Sequence, residues 1–336
     1  MKDRPFITVI VPACNAGEVL GRCLDALLAS PYASREVIVV DDGSSDGTAS
    51  VARAREVEVV ERTERRGPAA ARNDGARRAR GDILLFVDAD VQVTRETVGL
   101  VAKRFGEDPG LDALFGSYDD DPSERSFLSQ YKNLAHHYVH QHASEEAATF
   151  WAGCGAVRRE AFERAGGFDS GRYGRPSIED IELGCRLKDM GSRIRLDKAL
   201  QVKHLKRWTL KSLLRADILD RAVPWSMLML DRGRIADDLN LKPASKLSSG
   251  LTGLLALMLA LSVLRPGFLL GAAALVLILA GLNLDFYRFL LERRGLAFAV
   301  LSFFMHILYY FYSGLAFVLC WLAHCVSGRR RGASDA

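Results

Sequence analysis

Paired cysteines are missing from this chain. Its six cysteines, Cys14, Cys23, Cys154, Cys185, Cys320 and Cys325, show no Cys-x-x-Cys spacing. That leaves no zinc-ribbon or dithiol frame, and in a reducing compartment they read as free thiols. No leader is expected either. Met1-Lys-Asp-Arg-Pro5 runs straight into the β-branched stretch 6–11, so no secretory signal is expected and the globular part is expected to face the cytosol. The loop at 41–48 lacks both Gly-x-x-x-x-Gly-Lys-Ser/Thr and Gly-x-Gly-x-x-Gly, so it is not a phosphate cradle of either familiar kind. Charge, finally, is absent from residues 247–264, 266–284 and, two histidines aside, 295–328. Each stretch is long enough to cross a hydrocarbon core of about 30 Å.

What is present is uneven. The 336 residues are 49% hydrophobic and 26% charged with a net charge of +4, and everything before residue 247 reads as soluble. The expected organisation is a globular domain at 1–208, basic amphipathic interfacial helices at 209–246, about three transmembrane helices at 247–328 and a basic tail at 329–336. Residues 206–246 hold nine Lys or Arg against five Asp, interleaved with Leu, Trp225 and Met, as suits helices lying on an anionic leaflet. Arg265-Pro266 is a tight connection that would make the first two apolar segments a hairpin. Residues 285–294 would then return a basic loop to the cytosolic side. A single pass of the third segment puts Arg329-Arg-Arg331 outside, against the positive-inside rule, so its path stays open.

The first hundred residues alternate strand and helix patterns: strands at 6–11, 36–40, 57–60 and 83–87, helices at 17–28, 48–55 and 69–79. Asn15 is placed to cap or nearly cap the first helix, and Pro68 suits a first helical turn. This alternation predicts an α/β, doubly wound, mostly parallel sheet, followed by an all-α membrane region. Further on, 111–115 suits an edge strand, 126–142 a helix, and 177–190 an amphipathic helix.

The chemistry centres on Phe86-Val-Asp-Ala-Asp-Val91. An apolar strand ends there in two carboxylates at i, i+2, on the sheet edge where ligands gather. Such acids repel unless a cation lies beside them. A Mg²⁺ or Mn²⁺ ion holding a diphosphate answers that need. The acids of the 41–48 loop lie on the same edge, where they suit hydrogen bonds from a base or ribose as well as plain turn chemistry. His136, His137, His140 and His142 share one short helix. No acid or cysteine joins them at zinc spacing, so a solvated or acceptor-facing helix is expected. Small residues at Ala152, Gly153 and Gly155 would let backbone approach a ligand.

Val9-Ile-Val-Pro-Ala-Cys-Asn15, Val40-Asp-Asp-Gly-Ser-Ser-Asp-Gly-Thr48, Gly67-Pro-Ala-Ala-Ala-Arg-Asn73 and Phe86-Val-Asp-Ala-Asp90 resemble, in order and spacing, the signatures of family 2 glycosyltransferases. The resemblance covers about residues 5–208. It implies the A-type glycosyltransferase fold, a UDP- or GDP-linked sugar donor and inversion at the anomeric carbon. By the same resemblance Pro12, Asn15, Asp41, Asp42, Arg72, Asp88, Ala89, Arg207 and Trp208 bind the nucleotide-sugar, with Asp42 by the nucleobase. Asp90, Asp88 and His204 hold the Mg or Mn ion. Trp151, Gly153, Cys154 and Gly155 border the acceptor. Gln92 completes an Asp-Ala-Asp-Val-Gln similar to polyprenyl-phosphate mannosyl- and glucosyltransferases, where a Gln there helps hold metal, although the residue on its own reads as a solvated Gln. Glu179-Asp180 matches the catalytic motif, with Asp180 as the base that takes the acceptor's proton.

The function implied is a multi-pass enzyme of the inner (cytoplasmic) membrane. It would move sugar to a lipid-linked or glycan hydroxyl acceptor, with no nucleic-acid partner. A polyprenyl-phosphate acceptor, needing no base, is one alternative. A processive polysaccharide synthase is another, weakened because His204 stands where Gln-x-x-Arg-Trp has its Gln, although Arg207 and Trp208 are kept. A silent nucleotide-sugar-binding scaffold is a third, opposed by the intact acids at 42, 88, 90 and 180.

Overall fold

The computed structural model of the chain describes residues 4–233 and 242–334. Residues 234–241 of the expected interfacial region, and 335–336 of the basic tail, lie outside the described residues. The chain divides into two compact units, Met1–Trp208 and Thr209–Ala336.

In the first unit, β1 (Ile7–Ala13), β2 (Arg35–Asp41) and β4 (Ile83–Val87) are apolar, largely β-branched and sheltered on both faces. That is the pattern of interior parallel strands. β3 (Glu58–Glu61), with exposed glutamates at both ends, closes one edge in a way that discourages further pairing. Of the helices between, α1 (Gly17–Leu28) turns Leu20, Cys23, Leu24 and Leu27 inward at i, i+3, i+4 and i+7. α2 (Thr48–Arg53) is short, and α3 (Pro68–Arg78) presents a face of alanines and Gly75 to the sheet. A Cβ on Gly75 would meet Ile10 Cγ2 at 2.5 Å. Glycine thus sets how closely α3, the helix that carries Arg72, approaches β1. Gly75→Val is expected to destabilise the unit by about 1–3 kcal/mol through overpacking, seen as a lowered thermal midpoint; an unchanged midpoint would contradict this packing.

The rest of the unit turns the sheet mixed. After β5 (Val91–Gln92) come α4 (Thr97–Glu107), β6 (Ala113–Tyr118), α5 (Phe127–Gln141), β7 (Cys154–Arg158), α6 (Arg159–Arg164), α7 (Glu179–Asp189) and β8 (Ile194–His204). The strand order is β3-β2-β1-β4-β7-β6-β8-β5. β1 to β4 are mutually parallel, but β7 runs antiparallel between β4 and β6, and β5 antiparallel along β8.

Two local expectations are corrected. The strand expected at the edge from 111–115 is β6, and it is interior, flanked by β7 and β8. Its Ala113, Leu114 and Phe115 are fully buried. Asn15 does not cap α1. Its backbone takes φ +50 and its side chain accepts from Ser45 N at 2.9 Å. The first amides of α1 are served instead by the β2–α2 loop, Ala16 N by Thr48 Oγ1 (2.9 Å) and Gly17 N by Asp46 Oδ2 (3.1 Å). Two loops on one sheet edge are thereby laced together.

The second unit is helical. α8 (Leu210–Arg215), a π-helical turn (Ala216–Ala222) and α9 (Val223–Arg232) run without interruption. α10 (Pro243–Ser262), α11 (Phe268–Leu282), α12 (Leu284–Arg294) and α13 (Leu296–Ser334) follow. α10 and α11 form the expected hairpin, packed through Leu255, Ala272, Leu275 and Leu279. Among the described residues α10 and Leu296–Val326 of α13 are long and apolar enough to cross a membrane. The α11–α12 pair, bent by 71°, makes a third if it is one span. Asn283 sits at that bend, donating to Ser248 Oγ (3.1 Å) and accepting from Tyr310 Oη (2.8 Å). Asp217 of the π turn is buried and accepts from Tyr312 Oη at 2.7 Å.

Candidate active site

The site forms where β4 ends. Val87 pairs with Cys154 of β7, and the next amide, Asp88 N, donates to Gly153 O at 3.1 Å. The chain then turns tightly (Val91 N to Asp88 O, 3.0 Å) into β5, which pairs with the end of β8 and sets Val91 opposite His204. His204 Nε2 is therefore 3.7 Å from Asp90 Oδ2, and Leu205 N donates to Asp90 O at 2.8 Å. The Asp90 side chain keeps 27% of its surface accessible. Desolvation pushes its pKa up, but His204 and then Lys206 outweigh that and hold it at about 2. Asp90 is thus held as an anion with part of its surface accessible.

Asp88 is held differently. Its Oδ1 accepts from Arg72 Nη2 at 2.7 Å, and Arg72 Nη1 donates to Glu179 Oε1 at 2.8 Å. The guanidinium lies 5.4 Å over the Phe168 ring and is buried, and its Nε has no acceptor among the described residues. Desolvation works against this cation, yet Asp88 and Glu179 raise its pKa. The other oxygen of Glu179 accepts from Ser177 N at 2.8 Å. Asp180 turns the other way: Oδ2 accepts from Ala152 N (3.0 Å) and Oδ1 from Ile181 N (2.8 Å). Burial, then the neighbouring Glu179 charge, push its carboxyl up to about 6. That value suits a general base near neutral pH.

Among the residues expected to meet the nucleotide, Asp41 accepts from Ser44 N at 3.1 Å and from the Ser44 hydroxyl. Asp42 is 2% exposed, and each of its oxygens already accepts a backbone N–H, from Arg66 (2.9 Å) and Gly67 (2.7 Å). Its first task is thus to fix the loop that opens α3. Pro12, one residue before the end of β1, lies opposite Val40, and Ala89 is buried between the two acids.

The expected acceptor residues divide. Trp151 is half-buried, edge-on to Tyr118 with ring centroids 4.9 Å apart. The glycines do not leave room for a ligand. A Cβ at Gly153 would lie 2.3 Å from the Trp151 indole, and one at Gly155 2.2 Å from Trp151 O. Their smallness seats the tryptophan. Cys154 is fully buried in β7, its thiol pushed up to about 12 by burial and by Asp88; it is core. Trp208, expected on the sugar, is also buried, donating its backbone N–H to Ser129 Oγ (2.8 Å) under the Lys206 ammonium (4.5 Å). Arg207 is exposed. Gln92 accepts from Arg22 Nη2 at 3.1 Å.

Of the helix expected to be solvated or acceptor-facing, His142 is exposed and His136 half-buried, but two histidines turn inward. His137 and His140 are buried with Nδ1 at 2.8 and 3.0 Å from the β6 carbonyls of Tyr118 and Gly116. Tyr118, which sequence reasoning missed, stacks on His204 (4.1 Å, 12°) and meets His136 at 4.5 Å. Its only signal was a tyrosine at the end of a strand.

Among the described residues no three His, Cys, Asp or Glu side chains converge as a metal cage. The expected trio is therefore not assembled, because Asp88 is drawn to Arg72. Asp90 and His204 remain as one oxygen and one imidazole nitrogen. That pair fits Mg²⁺ or Mn²⁺, which takes few protein ligands and fills its shell with phosphate and water.

Residues 8–166 match the family model described as "Glycosyl transferase family 2". A pre-mycofactocin glycosyltransferase of Mycobacterium tuberculosis is 30% identical over 227 residues, 61% of this chain and 44% of that protein. The glycosyltransferase AglE of Haloferax volcanii is 40% identical over 93 residues, 26% of this chain and 31% of its own. The chain thus spans under half the length of these curated relatives. Among solved structures, the mannosyltransferase PcManGT of Pyrobaculum calidifontis, in complex with GDP-Man and Mn²⁺, superposes with a TM-score of 0.61 at 23% identity, over 94% of this chain and 88% of that one. That likeness concerns the fold, which is the A-type glycosyltransferase fold. With the motifs on one sheet edge and the family model covering them, residues 8–166 are a glycosyl transferase family 2 domain.

Proposed function

We propose that the chain is a membrane-anchored inverting glycosyltransferase that moves a sugar from a nucleoside-diphosphate sugar to a hydroxyl of a lipid-linked acceptor. One observation carries this reading. The two-residue backbone Ala152–Gly153 is hydrogen-bonded to Asp180 through one amide and to Asp88 through one carbonyl. The base and the donor-binding acids thereby converge on one short loop. Asp90 and His204 hold the divalent ion, which when bound supplies positive charge to the departing diphosphate. Arg72 neutralises Asp88. Asp180 accepts the acceptor's proton as its oxygen attacks the anomeric carbon from the face opposite the leaving group. Trp151, braced by Gly153, offers the acceptor a ring edge. The curated relatives bear glycosyltransferase names, and PcManGT was solved with GDP-Man and Mn²⁺, which supports a nucleotide-sugar donor and a divalent ion here.

The test is the full chain in lipid vesicles, supplied with Mn²⁺ and a panel of UDP- and GDP-linked hexoses. Donor turnover with an inverted product anomer is expected. α10 and α13 would place the enzyme in the same bilayer as its acceptor and raise the effective concentration. Transfer to a lipid-linked sugar should therefore exceed transfer to the same sugar in solution by about tenfold or more. Equal rates for the two would remove the lipid-linked acceptor, and a retained anomer would remove the mechanism.

A further inference from the structure

Glu179 and Asp180 are adjacent acids at the start of α7, yet their carboxylates have opposite surroundings. Glu179 is 4% exposed and spends one oxygen on the Arg72 guanidinium and the other on Ser177 N. Arg72 in turn holds Asp88, at the donor end of β4. Asp180 makes no bond to Arg72 that competes with these; its oxygens meet the amides of Ala152 and Ile181. Three elements distant in sequence, α3, β4 and α7, are thus joined by one buried cation. Glu179 also lacks the exposure that an acceptor hydroxyl would need in order to reach it.

We propose that Glu179 is a positioning residue rather than a second base: through Arg72 it ties the donor-holding Asp88 to α7, and its fixed negative charge tunes Asp180 beside it. The inference rests on Asp180 being the base. The groups facing Asp180 are Glu179 on its own helix, Arg72 from α3 with Asp88 behind it from β4, and the Ala152 amide. A like charge alongside disfavours ionisation, and an opposite one favours it. Removing the Glu179 charge, and freeing Arg72, therefore shifts Asp180 toward its anionic form.

Two substitutions in the full chain separate charge from reach. With whichever of GDP-mannose or UDP-glucose turns over in Mn²⁺, Glu179→Gln should move the acid limb of the kcat profile down by about one pH unit. It should also lower kcat by about tenfold as the tie from α7 through Arg72 to Asp88 weakens. Glu179→Asp keeps the charge but is one methylene short of Arg72, so kcat should fall while the acid limb stays put. A merely structural role would move neither limb. The proposal is overturned if Glu179→Gln leaves either the acid limb or the rate at wild type, or if Glu179→Asp leaves kcat unchanged. Should Glu179→Gln fail to fold, the Glu179→Asp result decides alone. Full turnover by Asp180→Asn marks a different failure, that of the base assignment itself. With Asp180→Asn active and Glu179→Gln dead but still binding Mn²⁺ and GDP, the roles of the two acids are reversed and the proposal is lost.

Discussion

Asp180→Asn lowers sugar transfer by about 10²–10⁴-fold, the usual loss on removing a general base, while nucleotide-sugar binding stays near wild type. The amide keeps the size of the side chain and can still accept from Ala152 N, so the 150–153 loop has no reason to move. What it cannot do is take a proton at neutral pH. The same carboxyl predicts the pH profile of the wild-type enzyme. Burial and Glu179 push it up to about 6, so the fraction able to act as base falls as pH drops below that value. kcat should decline on the acid side with a slope of one proton. Single-turnover transfer measured across pH 5 to 8 on the order of that range, alongside a binding titration, checks both. Near-normal transfer by Asp180→Asn would mean an acceptor that arrives already ionised, such as a lipid phosphate.

Asp90→Asn has a different signature. Against desolvation, His204 and Lys206 hold the Asp90 carboxyl down at about 2, and His204 lies 3.7 Å from it. Loss of that charge should weaken Mn²⁺-dependent binding of GDP or UDP and lower turnover together, by about 10²-fold or more. Asp180→Asn leaves binding alone, so a titration of Mn²⁺ with nucleotide separates the two variants. Full activity of the wild-type chain in excess EDTA, with metal-free protein verified, would show that no ion is needed. The reading of Asp90 and His204 as its ligands would then fail.

What the sequence could say follows from how local each feature is. β4 was legible to the residue because an unbroken apolar run ends in two acids. α1 was legible because its leucines recur at helical spacing. The Glu179–Arg72 bond was not, because it joins residues 107 apart in the chain and nothing in either segment names the other. β7 is not legible in the sequence, because Cys-Gly-Ala-Val-Arg opens on small residues and shows no apolar alternation. Only its place between Phe86 and Phe115, both paired with Gly155, makes it a strand. Motif position puts Trp208 and Cys154 on ligands, whereas burial assigns them to the core. The histidines of α5 were read by face and spacing, but their partners are carbonyls of a strand whose register no helix periodicity encodes.

The hydrogen bond from Asp88 to Gly153 has a consequence for how such a domain changes its length over evolution. β7 is zipped to β4 from Cys154 to Arg158. A residue inserted between Phe150 and Cys154 would slide that pairing by one, turning every β7 side chain to the opposite face. Gly155 would leave its slot between two phenylalanines. Insertions between the end of α5 and Thr149 disturb less, since that stretch continues no strand and meets β8 through Ala147 N to Ile194 O, Leu196 N to Glu145 O and the Glu146–Arg195 bridge. Lineages that acquire new acceptors should therefore lengthen or shorten the chain upstream of Thr149, and keep the count from Phe150 to Arg158 fixed.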